Sequence, residues 1–430
     1  MSRTLRTITG ACVPLAFVAC TSYTPAPLEP ADLLQDLRLS APLEFSTETL
    51  GPSEATAAAL QHNPELLAMR ESVGIADSLL LEAGIWPDIN LGWGAMDWIV
   101  GGTSDDAITG LSLGIPLFRP DERDALLADA EASRDLVRAR LLDAEWRLTR
   151  RVQGQLLSLA AAQEHVALAQ HAEKIAESTV TFLQRGLDAG AATRFDLEMA
   201  MLQAGKVHQR LQNTHRAMEI ARLQLSALLG AHPHSTYRVP SLDTLKSSWV
   251  SKTLTAPALT DLALAQRPDV LESQAQYQKA EAALRLEMAK QWPGLELGTG
   301  ISMSLPLFSG FHKRAVKTAT LRRDRAATQL KTAVANVRNS AWLIHQEAVG
   351  RGQEWASFRD FVTPRLEASL RLSEQAQQLG SLSYLEVLFA QRQLNDAQRD
   401  SVDVLFAHLR AQADLVWFLG APIIPAGTDQ

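Results

Sequence analysis

The chain has 430 residues, with 41 Lys and Arg against 48 Asp and Glu, and a formal net charge of −7 at pH 7. This balance argues against a general nucleic-acid binder, because such proteins contact phosphates through clustered Lys and Arg. The length suits several domains or one very elongated domain. Long stretches rich in Ala, Leu, Gln, Glu and Arg are typical of long helices.

The N-terminal segment "MSRTLRTITGACVPLAFVAC" predicts a secretory signal peptide over residues 1–19. Two arginines precede an apolar run that is too short to span a membrane, and the run ends in small Ala19. A cysteine directly after the cleavage position resembles a bacterial lipoprotein signal, so Cys20 is the predicted lipidation site. An ordinary signal peptide with an incidental cysteine is the alternative. Residues 20–50 begin Pro-rich and are interpreted as an extended, lipidated tether.

The chain beyond the tether is a tandem repeat. Phe118 and Gly230 are 112 positions apart, and Phe308 and Gly420 are also 112 positions apart. An offset of 190 residues aligns this part of the two halves without a gap, and a repeat of this kind indicates a duplicated supersecondary unit. The predicted organisation is a first repeat at 51–230, a linker at 231–256, a second repeat at 257–420 and a tail at 421–430.

Each repeat is predicted to contain a short helix, an extended segment, a very long helix, a break and a medium helix. No proline occurs between Asp121 and Asp188, which predicts a helix of about 68 residues, roughly 100 Å long. About 36 residues then return to Gly230. Pro364 is expected to kink the corresponding helix of the second repeat. Such a thin bundle has little interior of its own, so the chain is predicted to be oligomeric.

The extended segment of the first repeat predicts a β-hairpin at about 88–118. "DINLGWGAMDW" and "AITGLSLGIPLF" alternate apolar residues with polar or small ones, and "GGTSDD" between them is typical of a turn. About ten residues per strand is the length that a membrane-spanning β-barrel needs. A soluble hairpin packed on a helix explains the same pattern.

The second repeat carries a shortened version of this hairpin. Pro87 and Pro116 are 29 positions apart, whereas Pro293 and Pro306 are only 13 apart. Each strand can then have only five or six residues and cover less than about 20 Å. We expect a short β element at 293–308, built from two short strands or one bent strand.

These features together resemble the TolC-type outer membrane efflux protein family. The specific parts are the duplicated Pro and Pro-Leu-Phe blocks, the breaks at Gly190–Thr193 and Gly380–Ser383, and the Leu-Gly that ends each repeat. The resemblance covers nearly everything after the tether. It implies a mainly α fold of long antiparallel helical hairpins in tandem repeat, an α-barrel when trimeric with a small β-barrel portion.

The resemblance also implies a function. Family members are outer membrane ducts that do no chemistry, so neither an enzyme nor a cofactor is expected. The implied assembly is a homotrimer, lipid-anchored in the outer membrane, that meets a periplasmic adaptor and an inner-membrane pump. No nucleic acid is expected as a partner, and the transported substrate is not predicted. The alternative is a non-conducting periplasmic coiled-coil scaffold lipoprotein.

The two helix reversals are the candidate docking sites, because in the family these tips bound the entrance and contact the adaptor. Gly190 and Gly380 suit positions that require a positive φ. Charges at helix ends also occur as ordinary solvated caps, which is the alternative interpretation. The docking residues are Arg185, Gly186, Gly190 and Thr193 at about 185–194, and Gly380, Ser381, Ser383 and Tyr384 at about 377–384.

Two acidic residues near the tips are assigned by the resemblance to the entrance constriction. These are Asp196 and Glu386, which the 190-residue offset places at equivalent positions. Repeated around a threefold axis, they would concentrate negative potential. Many members of the family have a second acidic residue one turn further on, where this chain has Phe389. Strong cation selectivity is therefore not predicted.

Three other signals carry less weight. Ser112 fits a G-x-S-x-G pattern but lies inside an alternating strand, unlike the nucleophile of serine hydrolases. His208 and His215, and the "HPH" at 232–234, lack a third ligand of suitable spacing, so no metal site is expected. Trp residues flank or occupy the extended segments, which suits either a membrane-interface belt or ordinary packing; these are Trp86, Trp93, Trp98 and Trp292.

Overall fold

The structure is a computed structural model, and it divides the chain into two units, Met1–Leu43 and Glu44–Gln430. The first unit contains helix α1 (Pro30–Leu39). The remainder of the fold concerns the second unit. The structure describes residues 23–39, 49–96, 108–246, 255–298, 301–305, 310–378 and 384–420.

The first repeat follows the predicted order of elements. Asn63 sets the start of the second helix of this repeat, because the Asn63 side-chain oxygen accepts the backbone N–H groups of Glu65 and Leu66 at 3.0 and 3.3 Å. The long helix and the returning helix lie where the sequence predicts them. The elements are α2 (Pro52–His62), α3 (Pro64–Ala83), β1 (Asn90–Met96), β2 (Ile108–Leu117), α4 (Glu122–Asp188) and α5 (Arg194–Leu229).

The second repeat has the same order of elements, which confirms the tandem repeat of helical hairpins. A short helix of the linker, α6 (Leu242–Leu245), separates the two. Within the described segments, no helix is both long and apolar enough to cross a bilayer. The elements of the repeat are α7 (Ala256–Gln266), α8 (Pro268–Ala289), β3 (Gly294–Gly298), β4 (Ile301–Ser304), α9 (Lys313–Ser357), α10 (Thr363–Gln378) and α11 (Tyr384–Phe418).

A π-helical turn, Phe358–Val362, joins α9 to α10. The Thr363 N–H donates to the Phe358 carbonyl five residues earlier, and the Thr363 hydroxyl donates to the same oxygen at 3.3 Å. Pro364 follows directly and has no N–H to continue an α-helical ladder. The kink expected at Pro364 therefore takes the form of one wider turn just before it.

The four strands form one antiparallel sheet in the order β1-β2-β3-β4. The second hairpin has strands of five and four residues, against seven and ten in the first. The predicted truncation of the second hairpin is thus confirmed. In the described sheet, β1 and β4 each pair with a single neighbour, so both are edge strands.

The helices follow the order of the strands. α3 leads into β1, α4 follows β2, α8 leads into β3 and α9 follows β4. α3 packs on α4, α4 packs on α8, and α8 packs on α9. Near the sheet, the helices therefore follow the strand order, with α3 and β1 at one edge and α9 and β4 at the other.

A buried polar network links the two repeats near the middle of α4. Gln153 is 2% exposed, and its side chain accepts the indole N–H of Trp417 from α11 and donates to the Thr56 hydroxyl of α2 at 3.2 Å. Trp146 in turn donates its indole N–H to the Trp417 carbonyl at 3.1 Å. Buried amides are costly without such partners. This network lies in the largest apolar cluster of the described residues, where Leu156 is fully buried.

The linker packs onto this central region through α6. Leu242 and Leu245 are buried in the same apolar cluster. The Glu164 carboxylate of α4 accepts the Leu242 N–H at 2.8 Å at the start of α6. Burial raises the pKa of Glu164 above its usual range, and this outweighs the opposing effect of the hydrogen bond from Leu242.

Each repeat ends in a glycine with a positive φ, 66° at Gly230 and 71° at Gly420. A Cβ on Gly230 would lie 2.3 Å from the His62 carbonyl oxygen, between α2 and α3. A Cβ on Gly420 would lie 2.9 Å from the Cα of Arg267, between α7 and α8. The last helix of each repeat thus closes against the junction of its first two helices, at a distance that only glycine permits.

Replacing Gly230 by Ala should destabilise the protein by at least about 2 kcal/mol. The left-handed conformation alone costs a residue with a Cβ about 1–2 kcal/mol, and the clash with the His62 carbonyl adds to it. Denaturant unfolding followed by circular dichroism measures the loss. Gly205→Ala, in α5 with no atom within 4 Å of its Cβ, is the control and should gain up to about 1 kcal/mol. Equal changes in the free energy of unfolding for both variants would contradict the requirement for glycine at position 230.

Glu164→Gln should raise the melting temperature at pH 8 and have no such effect in acid. The raised pKa means that the protonated form is favoured in the fold, so stability from this group is present at low pH and is lost as pH rises through the folded-state pKa. Glutamine keeps an acceptor for the Leu242 N–H without the charge. Melting curves between about pH 4 and pH 8 measure the difference. Glu177→Gln, at an exposed position on the same helix, is the control and should show no comparable trend.

Candidate functional site

The first tip is the reversal between α4 and α5. Gly190 has a φ of 74°, as the sequence predicts. The Gly186 carbonyl accepts the N–H groups of Ala191 and Ala192 at 2.7 and 3.1 Å. A Cβ on Gly186 would lie 3.1 Å from the Cβ of Ala192. Gly190 is thus favoured by its positive φ and Gly186 by the close approach of Ala192. Arg185, next to Gly186, is exposed.

Thr193 and Asp196 form a capping box that starts α5. The Thr193 hydroxyl oxygen accepts the Asp196 N–H at 3.1 Å, and the Asp196 carboxylate accepts the Thr193 N–H at 3.1 Å and its hydroxyl at 2.6 Å. The carboxylate also lies at the positive end of the helix dipole. Asp196, assigned from sequence to the entrance, thus holds the turn. The Thr-x-x-Asp spacing is the signal that predicts this role.

Two exposed aromatic residues flank the first tip and were missed by the sequence analysis. Leu183 and Leu197 are buried between α4 and α5. Phe182, next to Leu183, and Phe195, two residues before Leu197, are 62% and 64% exposed. This exposed apolar area makes the first tip a candidate contact surface. Their signal in the sequence is an aromatic residue beside the break on each helix.

Only part of the second tip is described. α10 ends at Gln378 and α11 begins at Tyr384, so Gly380, Ser381 and Ser383 lie outside the described residues. Glu386 lies in the first turn of α11, where the structure describes the backbone alone. The positive φ expected at Gly380 therefore stays a prediction.

The strand end of the molecule carries the predicted interface tryptophans. Trp86 and Trp292 precede β1 and β3 and are exposed. The Trp86 ring lies 5.4 Å from the ring of Phe118, and the Arg123 guanidinium lies 5.3 Å from the Trp86 centroid. Trp93 belongs to β1. Trp98, like the predicted lipidation site Cys20, lies outside the described residues.

The structure also places the residues that the sequence analysis set aside. Ser112 pairs with Gly92 in the middle of β2 and is not at a strand-to-helix turn. His208 contacts the Glu173 carboxylate at 2.6 Å, and His215 contacts the Gln170 amide at 3.5 Å. Among the described residues, no three His, Cys, Asp or Glu side chains converge on a common point suited to a metal ion.

Comparison with known proteins gives consistent matches. Residues 56–231 match a family model described as outer membrane efflux protein. Over 397 residues the chain is 25% identical to the cobalt-zinc-cadmium resistance protein CzcC of Cupriavidus metallidurans, covering 87% of this chain and 92% of that protein. It is 24% identical to the probable outer membrane lipoprotein SilC of Salmonella typhimurium over 293 residues, which is 60% of each protein.

Among solved structures, the fold is similar to the outer-membrane channel OprN. The TM-score is 0.70 at 17% sequence identity, and the match covers 90% of this chain and 96% of that one. This likeness concerns the fold, and the family model and the relatives concern the sequence. Together with the duplicated helical hairpins, they show that the chain is similar to the outer membrane efflux protein family, whose members are channel proteins and not enzymes.

Proposed function

We propose that this protein is the outer membrane duct of a tripartite efflux system. Three copies would form a continuous passage across the periplasm and the outer membrane. The passage would receive substrates from an inner-membrane pump through a periplasmic adaptor. The family match and the resistance and lipoprotein relatives support this proposal.

The open edges of the sheet carry the proposal. β1 and β4 each have one unpaired side in the described sheet, and such edges normally pair, are covered or are blocked. Strand directions alternate along the sheet, so β4 of one copy is antiparallel to β1 of the next. Three copies would close twelve strands, and the helices in the same order would close around the same axis.

The short second hairpin makes this closed sheet uneven. Strands of five and four residues cover about 14–17 Å, less than the roughly 30 Å hydrocarbon core of a bilayer. We therefore propose a reduced outer end, with lipids on Cys20 adding to membrane attachment. The exposed Trp86 and Trp292 lie at this end and suit the membrane interface.

The tips are the proposed entrance and adaptor contact. The first reversal is compact because of Gly186, Gly190 and the Thr193 cap, so it presents a fixed shape. Phe182 and Phe195 supply exposed apolar area there. With Glu386 and Asp196 contributed by each copy, the entrance would carry carboxylates from both repeats. The docking residues of the second tip, including Ser381 and Tyr384, would act in the same way.

The proposed cargo is a divalent transition-metal cation. One relative is named a cobalt-zinc-cadmium resistance protein, and another is named a cation efflux system protein, CusC of Escherichia coli, at 21% identity over 57% of each chain. Deletion of the gene should then sensitise the cell to these metals. The competing function, a non-conducting scaffold lipoprotein, accounts for the helices and the lipid but not for two open sheet edges.

The purified protein should form three-copy particles that conduct in planar lipid bilayers. A closed wall encloses water, so stepwise conductance is expected, and light scattering in detergent should give three times the chain mass. A folded three-copy particle without conductance would favour the scaffold. A well-behaved monomer would count against closure of the sheet.

Removing the exposed rings at the first tip, Phe182→Ala with Phe195→Ala, should abolish metal resistance and co-purification with the adaptor. Folding should be unchanged, because both rings are exposed. The control is Phe361→Ala, an exposed phenylalanine of the π-helical turn, which should keep full resistance. Full resistance in the tip variant would remove these rings from the contact surface.

A further inference from the structure

The start of α9 is much more basic than the equivalent part of α4. Residues 313–331 contain seven Lys and Arg and one Asp, whereas residues 123–141 contain four of each sign. The first turn of α9 has no acidic residue, although cations oppose the helix dipole at this end. The duplicated fold does not require this charge, because the equivalent part of α4 has no excess of cations.

Three of these cations share one exposed face with a leucine. Arg314, Lys317, Leu321 and Arg325 are spaced three, four and four residues apart, and this spacing places them on one side of a helix. The opposite side of α9 is buried through small residues such as Ala319. Leu321 is 60% exposed. In the described part of the chain, none of the three cations has an ion-pair partner within 4.0 Å.

The outer face of α3 has the complementary pattern. Glu71, Ile75, Leu79 and Glu82 are spaced four, four and three residues apart, and all four are exposed. Ile75 is 62% exposed. Neither glutamate has an ion-pair partner among the described residues. By contrast, Asp77 on the inner face pairs with α4 at 3.0 Å, which fixes which side of α3 points away from the rest of the chain.

The two faces also match in position along the helices. Arg314 lies one residue inside the start of α9, and Glu82 lies one residue inside the end of α3. Leu321 and Ile75 are each eight residues from the same ends. Arg325 and Glu71 are each twelve residues away, about 18 Å at 1.5 Å per residue. The patterns therefore coincide when the two helices run antiparallel with their strand ends level.

One copy of the chain cannot make this contact, because α4 and α8 lie between α3 and α9 in the order of the helices. Two copies can make it. α9 leaves the edge strand β4, and α3 enters the other edge strand, β1. When β4 of one copy pairs with β1 of the next, α9 and α3 meet antiparallel with their strand ends together.

We propose that the basic face of α9 docks on the acidic face of α3 in a second copy of this chain, and this rests on the proposed three-copy duct. Arg325 would pair with Glu71, Arg314 with Glu82, and Leu321 would pack on Ile75. The contact joins two different surfaces, so it is heterologous and closes as a ring. Exposed ion pairs are individually weak and screened by salt, so assembly depends on ionic strength.

Disulfide trapping tests the contact in the full chain. Ile75→Cys combined with Leu321→Cys should give oxidised ladders of two and three copies on a non-reducing gel, and neither single variant should do so. Leu81→Cys with Leu321→Cys is the matched control, because Leu81 is also exposed but lies on another face of α3. Three-copy particles with equal trapping in both pairs would overturn the proposed contact.

A charge exchange tests the electrostatic part. Arg325→Glu should lower the fraction of three-copy particles at least about fivefold at about 0.1 M salt, and adding Glu71→Arg to the same chain should restore it. If three-copy particles conduct normally and neither change alters their fraction, the proposed contact between α9 and α3 is wrong, whereas the proposed duct is not contradicted. If wild type neither assembles nor conducts, the duct itself fails. Loss of binding to phosphatidylglycerol vesicles with assembly intact would assign the basic face to lipid headgroups and overturn the proposal.

Discussion

The two repeats share one apolar cluster, and a buried amide inside it links them through hydrogen bonds. Gln153 of α4 accepts from Trp417 at the end of α11 and donates to Thr56 at the start of α2. Each repeat alone is a thin helical hairpin with one apolar side, so it depends on the other for burial. A polar group inside that shared cluster is costly without a partner, so the two hydrogen bonds of Gln153 favour this relative placement of the repeats. The packing of α6 and the position of the last helix follow from this placement.

The duplicated design leaves different surfaces free in its two halves. The backbone conformation that ends each repeat is the same, because Gly230 and Gly420 both pack against the junction of the first two helices of their repeat. The outer surfaces differ, since near the sheet α4 lies between α3 and α8, whereas the start of α9 lies at the edge. Basic residues accumulate on α9 and not on α4. The two repeats thus share their internal helix contacts, whereas the charge of their outer surfaces differs.

Much of the fold can be predicted from the sequence, because helix length, repeat spacing and strand length are local properties. The absence of proline between Asp121 and Asp188 is enough to predict α4. Three features could not be derived in this way. The Gln153 network joins residues 97 and 264 positions apart in the sequence. The π-helical turn depends on a change from i→i+4 to i→i+5 hydrogen bonding just before Pro364. The exposure of Phe182 depends on which residues pack behind it. For Asp196 the Thr-x-x-Asp spacing predicts the capping role, whereas the entrance position that the resemblance implies stays a prediction.

The π-helical turn has a mechanical consequence. α4 is one uninterrupted helix of 67 residues. The equivalent part of the second repeat consists of two helices, α9 and α10, joined by the π-helical turn at Phe358–Val362. A wider turn with fewer regular hydrogen bonds resists bending less than the α-helix on either side of it. A sideways force on the tips would therefore bend the second repeat, at its π-helical turn, more than the first. The two repeats of one duplicated hairpin thus differ in bending stiffness, with the first stiffer than the second.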